Sequence, residues 1–178
     1  VVPYGDGAPS FSTSHPRADG GTAQSNASGT GIPLSESNLE TGRIAVFNQL
    51  QDDGVPLVSP SELYLVVGVN NGKTASIITQ SNLRSGTGNN DVNIYSGGKV
   101  KVLESKWLDS GMSGAGVGNN TQWFLVDPNT AKLAVVISKG PDLEFLKDKD
   151  TKSGLFDVIL DLGVVAYDWR GTWGSLGD

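Results

Sequence analysis

The chain has 178 residues, no cysteine and a formal charge of -6, which excludes disulfide scaffolds, thiolate metal centres, thiol nucleophiles and the basic footprint of sequence-independent nucleic-acid binding. Glycine, at 24 residues, is well above its usual ~7% share, and charged residues fall to 18% against a usual ~25%. The length suits one domain or a compact part of a larger one; the apolar runs stop far short of the ~18 residues of a membrane span, no signal peptide is visible, and the glycines lack the period of collagen.

Residues 5–31 are mostly Gly, Ser, Thr, Ala, Asn and Asp, with Phe11 the one large apolar side chain. That composition does not order itself alone, so residues 1–35 read as a glycine- and serine-rich arm or loop. Ser37-Asn38-Leu39-Glu40 has the form of a capping box and predicts a helix running to Leu50. Leu39, Arg43, Val46, Phe47 and Leu50 form its stripe, and Asp52-Asp53-Gly54 ends it. Gly42 weakens this helix by about 1 kcal/mol relative to Ala. Glu62 to Val67 reads as a buried strand closed by an Asn70-Asn71-Gly72 turn, with a short helix over Lys73 to Asn82.

Two glycine and asparagine loops, Ser85 to Asn93 and Ser110 to Thr121, bracket Lys99-Val100-Lys101-Val102, which alternates as a half-buried strand. Trp123 to Val126 and Leu133 to Ile137 are expected to pair as a hairpin through the turn Asp127-Pro128-Asn129-Thr130. Phe156, Val158, Leu160, Leu162 and Val164 alternate along a long strand with one apolar face, followed by Tyr167, Trp169 and Trp173 at spacings that share a strand face. The sum is an α+β fold with an antiparallel-leaning sheet, few helices and no internal repeat.

Candidate chemistry is thin. His15, the single histidine, would have to serve any triad, yet it lies in the polar arm with no strand-to-helix turn around a candidate serine. Asp148 to Gly154 departs from a calcium loop: its glycine falls one position late, Lys152 takes a ligand position and Ile159 replaces the bidentate carboxylate. Gly111 to Gly118 lacks the flanking strand, helix and lysine of a phosphate cradle. Asp157 and Asp161 lie on the less apolar side of a strand, as solvated carboxylates do. The sequons at Asn26 and Asn119 matter only in a secretory compartment. No enzyme activity, cofactor or metal is expected. Tyr167, Trp169 and Trp173 form a stripe that suits packing on another element or subunit, or a sugar platform in a carbohydrate-binding or adhesin-like module.

The order of several short motifs resembles a known family. Gly5-Asp6-Gly7, Phe11-Ser12-Thr13-Ser14-His15-Pro16, Gly20-Gly21 and Pro33-Leu34-Ser35-Glu36-Ser37-Asn38-Leu39 are followed by Asp53-Gly54-Val55-Pro56 and the strand after Pro60. Asn89-Asn90-Asp91-Val92-Asn93, Gly97-Gly98-Lys99-Val100-Lys101-Val102, Trp123-Phe124-Leu125-Val126-Asp127-Pro128 and Gly163 through Gly171 complete the series. Over residues 4–174 this is similar to the central and C-terminal part of tailed-bacteriophage major capsid proteins, particularly the Mu-like prophage head protein.

The resemblance implies a Hong Kong 97-type fold, with residues 36–138 forming an axial domain and 139–178 contributing strands to a peripheral domain. The family's N-terminal arm, extended loop and spine helix fall ahead of Val1, so the chain reads as a fragment. It implies a structural subunit that joins copies of itself in pentamers and hexamers around DNA, without sequence-specific nucleic-acid binding or a membrane. Scaffolding or decoration proteins are further partners, and assembly takes place in the bacterial cytoplasm before the subunit resides in the virion. Tyr167, Trp169, Arg170, Trp173, Asn89 and Asn90 are the expected interface residues.

Overall fold

The computed structural model describes residues 6–84, 91–110, 119–147, 150 and 154–177. Among them a four-stranded sheet carries the core, and a long two-stranded ribbon forms a second sheet. The first sheet has β1 (Leu63–Val67), β2 (Val100–Glu104), β3 (Trp123–Val126) and β6 (Thr172–Ser175) in the order β2-β1-β3-β6. The ribbon pairs β4 (Lys132–Lys147) with β5 (Gly154–Asp168).

Helix α1 (Glu36–Phe47) is capped by Ser35, whose hydroxyl accepts from the Asn38 N–H at 3.2 Å. The expected capping box, which starts two residues later at Ser37, does not form: Glu40 does not reach back to the helix start but binds Arg43 at 2.7 Å and takes the Tyr95 hydroxyl. Arg43 is the main reason the Glu40 carboxyl sits below its usual range, while burial first, and Glu40 second, push the Tyr95 hydroxyl above its own. Gly42, which weakens the helix by propensity, has a packing reason: a Cβ there would stand 2.9 Å from the Trp173 ring and 3.0 Å from Leu125. Its absence lets α1 lie close on the sheet.

Asn70-Asn71-Gly72 is not a turn but the first turn of α2 (Val69–Gln80). The Asp109 carboxylate accepts the Val69 N–H at 2.9 Å and so caps this helix from a distant segment, which explains why no local capping residue announces its start. The helix carries the chain from β1 to β2, which run parallel, as a crossover connection requires. Leu63, Leu65 and Val67 alternate inward and meet Leu39, Val46, Ala75, Trp123, Leu125 and Trp173 in one apolar cluster.

The expected hairpin of Trp123–Val126 with Leu133–Ile137 does not form. β3 pairs with β1 and β6, both antiparallel, and the turn at Asp127 sends the chain out into the ribbon instead. The turn itself is as expected: the Asp127 carboxylate accepts from the Asn129 N–H at 3.0 Å and the Thr130 hydroxyl at 2.5 Å.

The polar arm is fixed by buried hydrogen bonds together with a few apolar anchors, Leu34 in the core and Phe11 on Phe124. Asn26, fully buried, accepts from the Ser12 N–H at 2.8 Å and donates to the Ser10 carbonyl at 2.8 Å and the Thr172 hydroxyl at 3.0 Å. His15 Nε2 lies 3.0 Å from Asn26 Oδ1 and Nδ1 lies 2.7 Å from Asp6. The Gly174 N–H donates to the Asn26 carbonyl and the Ser28 N–H to the Gly174 carbonyl, so the arm covers the outer edge of β6. Replacing Asn26 by Ala strands several buried groups at once. Urea unfolding is expected to show a loss of at least ~2 kcal/mol, and a loss within ~0.5 kcal/mol, the usual size of a surface change, contradicts this role.

Candidate functional site

The ribbon displays the largest run of exposed apolar side chains in the described chain. Its register places Leu143 opposite Val158, Phe145 opposite Phe156, Ile137 opposite Leu162 and Val135 opposite Val164. Successive side chains on a strand alternate between faces, so these eight residues, with Leu160, share one face. The other face is mixed: it carries Glu144 opposite Asp157 and Lys139 opposite Asp161, together with the apolar Val136, Leu146 and Ile159. On the apolar face Phe156 is 73% exposed, Leu143 72% and Val164 63%. The Phe145 and Phe156 rings meet at 5.0 Å but cover little of one another.

Fifteen residues at ~3.3 Å each make the face about 50 Å long, and two strands make it about 10 Å wide. Burying an aliphatic or aromatic side chain contributes roughly 1.5–3 kcal/mol, so a covered face of this size drives association strongly. A soluble monomer rarely leaves such an apolar patch open.

The expected interface residues divide. Tyr167 is 63% exposed and sits where β5 carries one extra residue against Lys132 and Leu133. Trp169 and Trp173 are 3% and 4% exposed, so they do not form the expected stripe with Tyr167. The strand ends at Asp168, and the turn at Gly171, with φ of 75°, redirects the chain into β6. Trp173 packs on Trp123 at 5.0 Å within the core, and Trp169 stacks on His15 at 4.3 Å. Arg170 spans the junction, donating to the Leu50 carbonyl at 3.0 Å and pairing with Asp168 at 2.9 Å and with Asp52. Asn89 and Asn90 lie outside the described residues, as do Gly111 to Gly118 and most of the Asp148 to Gly154 stretch.

The exposed apolar residues that sequence reasoning missed are Leu143 and Phe145. Their alternation with Asp142 and Glu144 is the signal, but Gly140-Pro141 interrupts the run from Leu133 and hides its continuity.

His15 is fully buried with Nε2 and Nδ1 on Asn26 and Asp6, an arrangement that anchors the arm and leaves no opening to a substrate. No group of three or more acidic or histidine side chains among the described residues is arranged to hold a metal ion, and no described helix is long and apolar enough to cross a membrane. A groove of about 920 Å³ at the ribbon's base is lined by Asp52, Asp53, Asp127, Asp168, Lys132 and Arg170 among others. The one hydroxyl–carboxylate contact described among its lining residues, Thr130 on Asp127, closes the turn after β3.

Exposure of the apolar face has a direct consequence for the chain alone. Replacing Leu160 by Lys is expected to change unfolding free energy by under ~0.5 kcal/mol while clearly lowering the fluorescence of a bound hydrophobic dye. A large stability loss would show instead that the chain covers this face itself.

No curated protein matches the chain. A family profile described as phage capsid protein matches residues 5–174, which is nearly the whole length and includes the α1-on-sheet core and the entire ribbon. The chain belongs to the phage capsid protein family.

Proposed function

We propose that the chain is a structural subunit of an icosahedral phage or prophage head of the Hong Kong 97 type, joining copies of itself in pentamers and hexamers around packaged DNA. The observation that carries this reading is the exposed ribbon with one continuous apolar face beside a packed core, in a chain of the phage capsid family. Its work is association without a reaction.

In this reading the four-stranded sheet with α1 and α2 is the axial-type unit and the ribbon is the peripheral-type unit. The division at residue 139 then moves: the ribbon begins at Lys132, and β6 returns to the first sheet. A helix suits the apolar face as its cover, because a ribbon about 10 Å wide matches a helix about 10–12 Å in diameter. Scaffolding and decoration proteins are further partners, with assembly in the host cytoplasm and residence in the virion. The carbohydrate-binding alternative loses its platform, since Trp169 and Trp173 face the interior.

Electron microscopy of the full gene product, expressed with its head-assembly partners, tests the proposal. Closed particles are expected from the unaltered protein and from Asp157→Asn with Asp161→Asn on the opposite face. Val158→Asp with Leu162→Asp is expected to give none, while near-ultraviolet dichroism of the buried tryptophans shows an intact core. Failure of the unaltered protein to form particles, or equal assembly by the apolar-face variant, overturns it.

A further inference from the structure

The ladder of the ribbon breaks twice within a short stretch of β4. Ile137 faces Leu162, Lys139 faces Asp161 and Asp142 faces Ile159. The path from 137 to 142 on β4 is thus opposed by the shorter path from 162 to 159 on β5, and the difference is two residues. Each bulge inserts one residue, bends its strand and sends every later side chain to the opposite face. Two in succession restore the phase. This is why Ile137 before the break and Leu143 after it both lie on the apolar face.

The stretch between them has little to hold it straight. Pro141 has no N–H for the ladder, and a Cβ built on Gly140 would meet nothing within 4 Å. Across the ribbon Gly163, opposite Val136, is equally open. The ion pair spanning the break, Lys139 with Asp142 at 2.8 Å, joins two side chains that are 48% and 59% exposed, and such pairs stabilise little.

We propose that residues 138–141 are a hinge, on which the distal half of the ribbon, 142–147 paired with 154–159, changes its angle against the proximal half while keeping its apolar side in phase. A single bulge would also bend the ribbon but would turn the distal apolar residues to the opposite face. The hinge rests on the register alone and stands whether or not the chain builds a shell. In a shell it lets one sequence hold one apolar face against surroundings that differ between positions.

The absence of cysteine makes introduced cysteines the sole labelling sites. Spin labels at Lys73→Cys and Asp157→Cys span the hinge, and labels at Lys73→Cys and Val136→Cys do not. Pulsed dipolar spectroscopy on chains diluted with unlabelled protein is expected to give a distance distribution about twofold broader for the spanning pair. Deleting Gly140 and Pro141 together removes both extra residues without changing phase, and is expected to narrow the spanning distribution to that of the other pair. Equal widths in the unaltered chain, or no narrowing on deletion, overturn the hinge. Should the deletion disturb the core dichroism, Gly140→Val with Pro141→Thr restores the N–H at unchanged length. Narrowing in that variant supports the hinge, and an unchanged width overturns it.

Discussion

A two-stranded ribbon has no interior. Whatever apolar residues it carries lie on one face or the other, and with two strands neither face is covered by the ribbon itself, which is why isolated hairpins are marginal in water. Here Val135, Ile137, Leu143, Phe145, Phe156, Val158, Leu160, Leu162 and Val164 are gathered on one side, while the other side mixes Lys139, Glu144, Asp157 and Asp161 with Val136, Leu146 and Ile159. These four charged residues face away from the apolar row, which leaves that row as the side suited to a partner. The ordering of its long strands is only fully rewarded when that partner arrives.

The junction at the ribbon's base makes this commitment compatible with a stable core. Asp127 turns the chain out of β3, and Trp169 to Gly171 turn it back into β6. Around the return turn, Gln49 donates to the Thr172 carbonyl at 2.9 Å and accepts from the Gly171 N–H at 2.7 Å, while Arg170 ties Asp168 to the segment after α1. Asn26 and His15 bring the arm onto the same turn. Arm, helix, sheet and ribbon therefore meet in one buried polar network, whose energetic weight comes from the cost of leaving any member unpaired. The core keeps its shape while the ribbon waits for its cover.

Much of this was legible in the residues. The stripe from Leu39 to Phe47, the alternation in Leu63 to Val67 and the long even-numbered apolar run from Phe156 to Val164 each carry a local period that survives folding. What was not legible depends on distant partners. Asp109 caps α2 from beyond β2, so Asn70-Asn71-Gly72 looked like a turn. β3 takes its neighbours from β1 and β6, so proximity along the chain misassigned it to Leu133–Ile137. The polar arm was expected to be loose because it lacks apolar residues, yet buried hydrogen bonds hold it. Trp169 and Trp173 were placed on one stripe with Tyr167 because alternation continues past Asp168 on paper, whereas Gly171 redirects the chain and buries both rings. The ribbon's second strand was half visible, with Gly140-Pro141 masking the two compensating bulges.

The central claim is that the shell buries the ribbon's apolar face. Hydroxyl-radical footprinting read by mass spectrometry, comparing this chain alone with assembled particles, tests it most directly. Oxidation of Phe145 and Phe156 is expected to be strong in the free chain, where both are exposed, and to fall sharply in particles, while buried Trp123 stays protected in both. Equal oxidation of Phe145 and Phe156 in the two states would contradict it.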